Sequence, residues 1–201
     1  MKTMRQNPTF TMYTGPMFSG KTSRMLATLD RYKYQHKSVL VVKPKIDDRY
    51  SQEEVCSHIG WKHPAVAVVD GPDVLRVLMD LDTSPDIIAV DEAFMIPGIA
   101  DTLLFLYQTG FSIVVSSLDI SATGKPFSEI QKMLPWATSI EKCTAVCTVC
   151  SQDAPYTHKK ITTDDVEIQV GGSELYEPRC FKHHVIINRS PAEVTDVELL
   201  E

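Results

Sequence analysis

Residues 15–22 read Gly15-Pro16-Met17-Phe18-Ser19-Gly20-Lys21-Thr22. This run matches the phosphate-loop pattern G-x-x-x-x-G-K-[ST], and it lies between an apolar strand-like run, Thr9 to Tyr13, and a segment with helical spacing, Thr22 to Tyr34. In such a loop, backbone N–H groups at a helix N-terminus wrap a polyphosphate, the lysine neutralises β and γ oxygens, and the threonine hydroxyl ligates Mg²⁺. We therefore expect residues 15–22 to bind ATP with Mg²⁺, with Lys21 facing solvent, and we disfavour a chance glycine-rich turn.

The chain around this loop alternates short apolar runs with longer segments of helical spacing. That alternation is typical of βαβ units built around a mostly parallel sheet, so the expected fold class is α/β. Further helices are predicted to start at Gly71-Pro72-Asp73 and to cover Ile99 to Tyr107. The predicted strands are Thr9 to Tyr13, Ser38 to Val42, Ala65 to Val69, Asp86 to Val90 and Ser112 to Ser116.

Two adjacent carboxylates, Asp91 and Glu92, follow the fourth predicted strand. Open α/β sheets bind their ligands at the carboxyl ends of parallel strands, so both side chains are expected to face the phosphate loop. Asp91 suits the role of holding Mg²⁺, and Glu92 could accept a proton from an attacking hydroxyl or water. The alternative is an ordinary solvated strand end.

Two short cysteine motifs, Cys147-x-x-Cys150 and Cys180-x-x-His183, have the spacing of a Cys₃His metal site. Four protein ligands leave no open coordination position, so the expected ion is a structural Zn²⁺. Cys143 and His184 are nearby spare ligands. The alternative is a set of buried thiols beside an exposed histidine.

Length and composition limit the possible classes of protein. The 201 residues suffice for one main core with a small accessory module, and a net charge of −6 argues against a surface that coats nucleic acid. No run is long and apolar enough for a membrane span, and an odd cysteine count fits a cytoplasmic chain. We predict a nucleotide-binding domain over 1–142, a zinc-binding subdomain over 143–190 and a flexible acidic tail over 191–201.

These features, in this order, resemble the type II thymidine kinases. The strings that carry the resemblance are GPMFSGKT at 15–22, DDRYS at 47–51, VDEAF at 90–94, LD at 118–119, GKPF at 124–127, CTVC at 147–150, YT at 156–157 and VGGSELYEPRCFKHH at 170–184. The resemblance implies a RecA-like P-loop domain with a parallel sheet, plus a small zinc-ribbon subdomain whose loop, about Tyr156 to Gly171, closes over the nucleoside.

The resemblance also implies the reaction, which is transfer of the γ-phosphoryl group of ATP to the 5′-hydroxyl of thymidine. Glu92 would be the catalytic base, with Lys21 and Arg49 close to the reacting phosphates. A homotetramer and feedback inhibition by thymidine triphosphate are further implications. The implied thymidine pocket comprises Met17, Leu118, Phe127, Thr157, Gly171 and Tyr176.

Three positions depart from the family pattern. Phe94 stands where the family usually has glutamine, Met95 where it has an aromatic residue, and Ala122 replaces a second aromatic residue. Either Phe94 takes the place of the missing aromatic side chain, or Met95 packs there as a flexible apolar group. Two other functions remain open at this stage: a RecA-like ATPase acting on nucleic acid, and a nucleotide-sensing regulator with a degraded site.

Overall fold

The computed structural model describes residues 7–47, 53–57, 59–160 and 170–185. Its helices are α1 (Lys21–Tyr34), α2 (Gly71–Met79), α3 (Ile99–Gln108) and α4 (Ser128–Met133). Its strands are β1 (Phe10–Thr14), β2 (Val39–Pro44), β3 (Glu54–Cys56), β4 (Lys62–Pro64), β5 (Val66–Val68), β6 (Ile87–Asp91), β7 (Ser112–Ser117), β8 (Ser139–Lys142), β9 (Ala145–Val146), β10 (Asp153–Ala154), β11 (Tyr156–Lys159) and β12 (Tyr176–Arg179).

A six-stranded parallel sheet forms the centre of the molecule, in the order β5-β2-β6-β7-β1-β8. Its four inner strands, β2, β6, β7 and β1, are buried along nearly their whole length because helices cover both faces of the sheet. Consecutive side chains enter opposite cores: Met12 packs on the face of α2, α3 and α4, whereas Tyr13 packs on the face of α1. The expected α/β fold class is confirmed.

Local signals account for where the helices begin. Asp70 caps α2 by accepting a 2.9 Å hydrogen bond from the Asp73 N–H, and Pro72 occupies the first turn, where a missing N–H costs nothing. Helix α1 buries Met25, Leu26 and Leu29 against the sheet. No helix within the described ranges has both the length and the apolar character needed to cross a lipid bilayer.

The five predicted strands and three predicted helices are present, within a residue or two at their ends. Three further features were not predicted: β8, which is the sixth strand of the sheet, the β3–β4 hairpin and the short helix α4. The segment predicted to be a closing loop begins as strand β11, paired antiparallel with β12. The rest of that loop over 161–169, the tail beyond residue 185 and Arg49 lie outside the described residues.

Candidate active site

The phosphate loop connects β1 to α1 at the carboxyl edge of the sheet. Gly15, at φ +134°, lies so close to the chain leaving β8 that an added Cβ would be 2.2 Å from the Cys143 carbonyl oxygen. Inside the loop, the Pro16 carbonyl accepts hydrogen bonds from Ser19 Oγ at 2.8 Å and from Lys21 Nζ at 2.7 Å. The side chains of Ser19 and Lys21 therefore hold the loop in a compact conformation around the Pro16 carbonyl.

Lys21 is buried, with 7% of its surface exposed, so the expectation that it faces solvent was wrong. The reason is the bond to Pro16, which turns the ammonium group back into the loop. Burial lowers the pKa of Lys21 below its ordinary value, and the carboxylates of Glu92 and Asp91 act in the opposite direction. The loop therefore holds a desolvated amino group beside two carboxyl groups.

Asp91, the last residue of β6, faces the phosphate loop directly. The Thr22 hydroxyl donates to its carboxylate, with oxygen distances of 3.1 and 3.3 Å. Burial, followed by the charge of Glu92, raises the pKa of Asp91 to about 7. A buried carboxylate beside a hydroxyl is a pair of hard oxygen donors, which is the ligand chemistry that Mg²⁺ prefers.

Glu92 takes the chain out of the sheet in a left-handed conformation, at φ 50° and ψ 44°. This conformation is rare for residues with a side chain, and it is concentrated at functional positions. It starts a 3₁₀ turn over Ala93–Met95 directly after Asp91. The bend therefore keeps two carboxylates together at the mouth of the phosphate loop.

Lys43 is a charged residue of this edge that the sequence analysis missed. Val42 of β2 and Val90 of the neighbouring strand β6 are register partners. Lys43 and Asp91, the residues that follow them, therefore lie at equivalent positions of the two strands. Only 4% of the Lys43 surface is exposed. The signal in the sequence was a lysine within the last two residues of an otherwise apolar strand.

An apolar cluster lies beside the phosphate loop. It contains three of the predicted thymidine-pocket residues, Leu118, Phe127 and the partly buried Met17. Phe94 and Met95 join the same cluster, and the Phe94 ring lies 4.6 Å from the Phe127 ring, centroid to centroid, at an interplanar angle of 40°. An aromatic side chain is therefore present beside Phe127, but residue 94 supplies it.

The other predicted pocket residues belong to the part of the chain that follows β8. Thr157 is in β11 and is 3% exposed, and its Oγ1 accepts a 3.0 Å hydrogen bond from the Met17 N–H. Tyr176 begins β12 opposite Lys159, and Gly171 precedes it in the β11–β12 connection. Val170 packs against the apolar cluster, so the end of the predicted closing loop is adjacent to the pocket.

The four predicted metal ligands come together. Single ligand atoms of Cys147, Cys150, Cys180 and His183 all lie within 4.8 Å of one another. The Cys150–Cys180 sulfur distance is 3.7 Å, close to the edge of about 3.8 Å for a tetrahedron with metal–sulfur bonds of about 2.3 Å. The cluster could therefore hold a tetrahedral metal ion.

Thiol chemistry around the cluster also suits a metal. Burial alone raises the pKa of the Cys147 thiol, but hydrogen bonds from surrounding backbone amides outweigh it and lower the pKa to about 5. The two spare ligand side chains make other contacts: Cys143 Sγ donates to the Glu141 carbonyl at 3.8 Å, and His184 Nε2 donates to the Thr157 carbonyl at 2.9 Å.

Comparison with known proteins agrees with this arrangement. The thymidine kinase family model matches residues 8–184 of the chain. A thymidine kinase of Ureaplasma urealyticum serovar 10 is 34% identical over 186 residues, which cover 89% of this chain and 83% of that protein. The matched region includes the phosphate loop, the Asp91–Glu92 pair and the cysteine cluster, and the chain belongs to the thymidine kinase family.

Proposed function

We propose that this chain transfers the γ-phosphoryl group of ATP to the 5′-hydroxyl of thymidine, giving dTMP and ADP in pyrimidine deoxynucleoside salvage for DNA synthesis. Family membership supports the reaction class, and the name of the relative supports thymidine as the acceptor. The observation that carries the proposal is the contact between Thr22 and Asp91, because it joins a phosphate loop to an acidic strand end in one site.

We assign the phosphates of ATP to residues 15–22. Their backbone amides and Lys21 would bind the phosphate oxygens, since a buried ammonium group would stabilise the charge that develops on the migrating group more strongly than one in water. Thr22 and Asp91 fit the oxygen donor set of Mg²⁺ and would hold it. When bound, Mg²⁺ would neutralise charge on the β and γ phosphates.

Glu92 is the proposed general base. It would accept the proton of the thymidine 5′-hydroxyl as that oxygen bonds to the γ phosphorus, while the bond from phosphorus to the β–γ bridging oxygen breaks and ADP leaves with it. Its neighbour Asp91 would remain on the metal. Arg49 stays a proposed phosphate contact on the basis of the family resemblance alone.

Thymine would bind beside Met17, Leu118 and Phe127, with Thr157, Gly171 and Tyr176 contributed from the β11–β12 hairpin. Structural Zn²⁺ at the Cys₃His cluster would hold that hairpin. We further propose a cytoplasmic homotetramer that thymidine triphosphate inhibits and that needs neither nucleic acid nor membrane. The proposed nucleotide-binding domain covers 1–142, the zinc-binding subdomain 143–190 and the tail 191–201.

One assay tests the reaction. ATP turnover is measured with thymidine alone, with single-stranded DNA alone and with neither, and dTMP is quantified. Turnover that requires thymidine and yields one dTMP per ADP is the expected result. DNA-stimulated hydrolysis without dTMP would contradict the proposal and favour the nucleic-acid ATPase.

The division of roles has its own test. Glu92→Gln should lower kcat by about 10²-fold or more with little change in ATP affinity, because it removes only a proton acceptor. Asp91→Asn should instead shift the Mg²⁺ dependence. Identical Mg²⁺ titrations and rates for the two variants would show that the roles are wrongly divided.

A further inference from the structure

Thr157 contacts both the phosphate loop and the residue that follows the Cys₃His cluster. Its side-chain oxygen accepts the 3.0 Å hydrogen bond from Met17 in the middle of the phosphate loop. Its carbonyl oxygen accepts the 2.9 Å hydrogen bond from His184, the residue after the metal ligand His183. Thr157 is 3% exposed and His184 is 1% exposed, so water does not compete for either bond.

Strands β11, which contains Thr157, and β12 connect to the metal cluster. Thr157 is the register partner of Pro178, which lies two residues before the ligand Cys180. The Pro178 carbonyl accepts a 3.2 Å hydrogen bond from the N–H of Thr148, which lies inside the first cysteine motif, Cys147-x-x-Cys150. The position of Thr157 is therefore linked to both cysteine motifs that the metal would join.

Phe18 makes a second connection. This residue of the phosphate loop has a left-handed backbone, at φ 65°. It packs on the small apolar cluster of Ala145, Cys147 and Ala154, together with Cys150 and Cys180. Cys147 in this cluster, and Cys150 and Cys180 packed on it, are three of the four proposed metal ligands, so the loop and the metal site share one apolar cluster.

We propose that Thr157 is a positioning residue for the phosphate loop, and that through it and Phe18 metal binding at the Cys₃His cluster and nucleotide binding at residues 15–22 strengthen one another. A metal ion would fix the two cysteine motifs, and these would fix the positions of β11 and β12. Thr157 in β11 would then hold the Met17 amide in place. By linkage, a nucleotide that selects this loop conformation strengthens metal binding by the same factor. The inference rests on the proposed nucleotide binding.

Affinity for MgADP, measured by calorimetry without thymidine, tests the role of Thr157 apart from any role in the base pocket. Thr157→Val has nearly the same shape but no hydroxyl, and it should bind MgADP about three- to tenfold more weakly, as expected for one lost hydrogen bond. Thr157→Ser keeps the hydroxyl and should restore affinity to within about twofold. Thr109→Val is the matched control, because its hydroxyl donates to the Leu106 carbonyl at 2.9 Å at the end of α3, outside both sites, and it should stay within about twofold of wild type.

The reciprocal effect is measured on unmodified protein, which removes any question of misfolding. The zinc-loaded chain is titrated to equilibrium with a zinc-selective chromogenic chelator, with and without saturating MgADP. Nucleotide should lower the zinc dissociation constant about fivefold or more, since couplings between sites commonly begin at that size. In Thr157→Val this nucleotide effect on the zinc dissociation constant should shrink.

The outcomes separate this inference from the proposed function. Failure of the zinc-loaded wild type to bind MgADP or MgATP would remove the proposed function and the coupling together. Normal nucleotide binding with a zinc dissociation constant that nucleotide changes by less than twofold would overturn the coupling alone. Equal MgADP affinities of Thr157→Val and wild type would also overturn the role given to Thr157.

Discussion

Replacing Asp91 by asparagine should stabilise the ligand-free protein, although it removes a proposed metal ligand. Asp91 is 7% exposed, and its pKa is raised from 3.8 to about 7 by burial and by Glu92. A carboxyl with a raised pKa binds its proton more tightly in the folded than in the unfolded chain. Wild-type stability therefore falls as the pH rises from about 4 through about 7, whereas asparagine does not titrate.

The size of this effect on stability follows from the two pKa values of Asp91. A pKa raised from 3.8 to about 7 corresponds to roughly 4 kcal/mol above pH 7, because each pKa unit is worth about 1.4 kcal/mol. Roughly 1 to 2 kcal/mol of this has accumulated by pH 5, since the unfolded carboxyl is already ionised there. The advantage of Asp91→Asn over wild type should therefore grow by about 2 to 3 kcal/mol between pH 5 and pH 8.

The assay is urea unfolding of both proteins at pH 5 and pH 8, without Mg²⁺ or nucleotide and with equal zinc loading. The asparagine carbonyl can still accept the Thr22 hydroxyl, so packing and hydrogen bonding change little. Asp101→Asn is the control, because the Asp101 side chain is 72% exposed, and its effect should stay within about 0.5 kcal/mol at both pH values. An Asp91→Asn advantage that is equal at the two pH values, or that falls with pH, would refute the reasoning.

Three other predictions concern the loop, the metal and the base. Gly15→Ala should cost at least about 2 kcal/mol of unfolding free energy, because its Cβ would lie 2.2 Å from the Cys143 carbonyl oxygen. Gly60→Ala should cost less in the same urea titration, because Gly60 also has a positive φ, +85°, but open space around its Cβ. Purified protein should contain one zinc per chain by elemental analysis, and full zinc content in a Cys147→Ser/Cys180→Ser double variant would contradict the ligand set. The ratio kcat/KM at fixed MgATP should fall from thymidine to deoxyuridine to deoxycytidine. Deoxyuridine lacks one methyl group, which is worth about 1 to 3 kcal/mol, and the cytosine base would leave buried hydrogen-bond donors of the pocket unpaired. Equal kcat/KM for deoxycytidine and thymidine would indicate that Met95 and Ala122 have reshaped the pocket.

The parallel sheet was predictable because its strands carry their own signal. Strands such as Ile87–Asp91 are buried along their whole length, and burial on both faces requires a continuous apolar run. The edge strand β8 was not predictable for the converse reason. All four of its residues, Ser139–Lys142, are exposed, so pairing with β1 rather than side-chain burial defines it.

The candidate site was predictable in its composition more than in its electrostatics. The spacing of Cys147, Cys150, Cys180 and His183 was sufficient to group four ligands, because each pair lies within one tight turn. The burial of Lys21 was not predictable, because it depends on one long side chain bending back to Pro16. The same holds for Thr157, whose contact with Met17 joins residues 140 positions apart.

Burial has opposite effects on the two charged groups at the centre of the site. It lowers the pKa of Lys21 and raises that of Asp91, so in each case it disfavours the charged form. A bound phosphate would stabilise the ammonium form of Lys21, and a bound divalent cation would stabilise the carboxylate form of Asp91. A metal–nucleotide complex supplies both at once, whereas a metal-free nucleotide brings more negative charge towards Asp91. The stability cost of Asp91 in the ligand-free protein is therefore the counterpart of its proposed function, and saturating MgADP should reverse the order of the Asp91→Asn and wild-type proteins in the same urea titration.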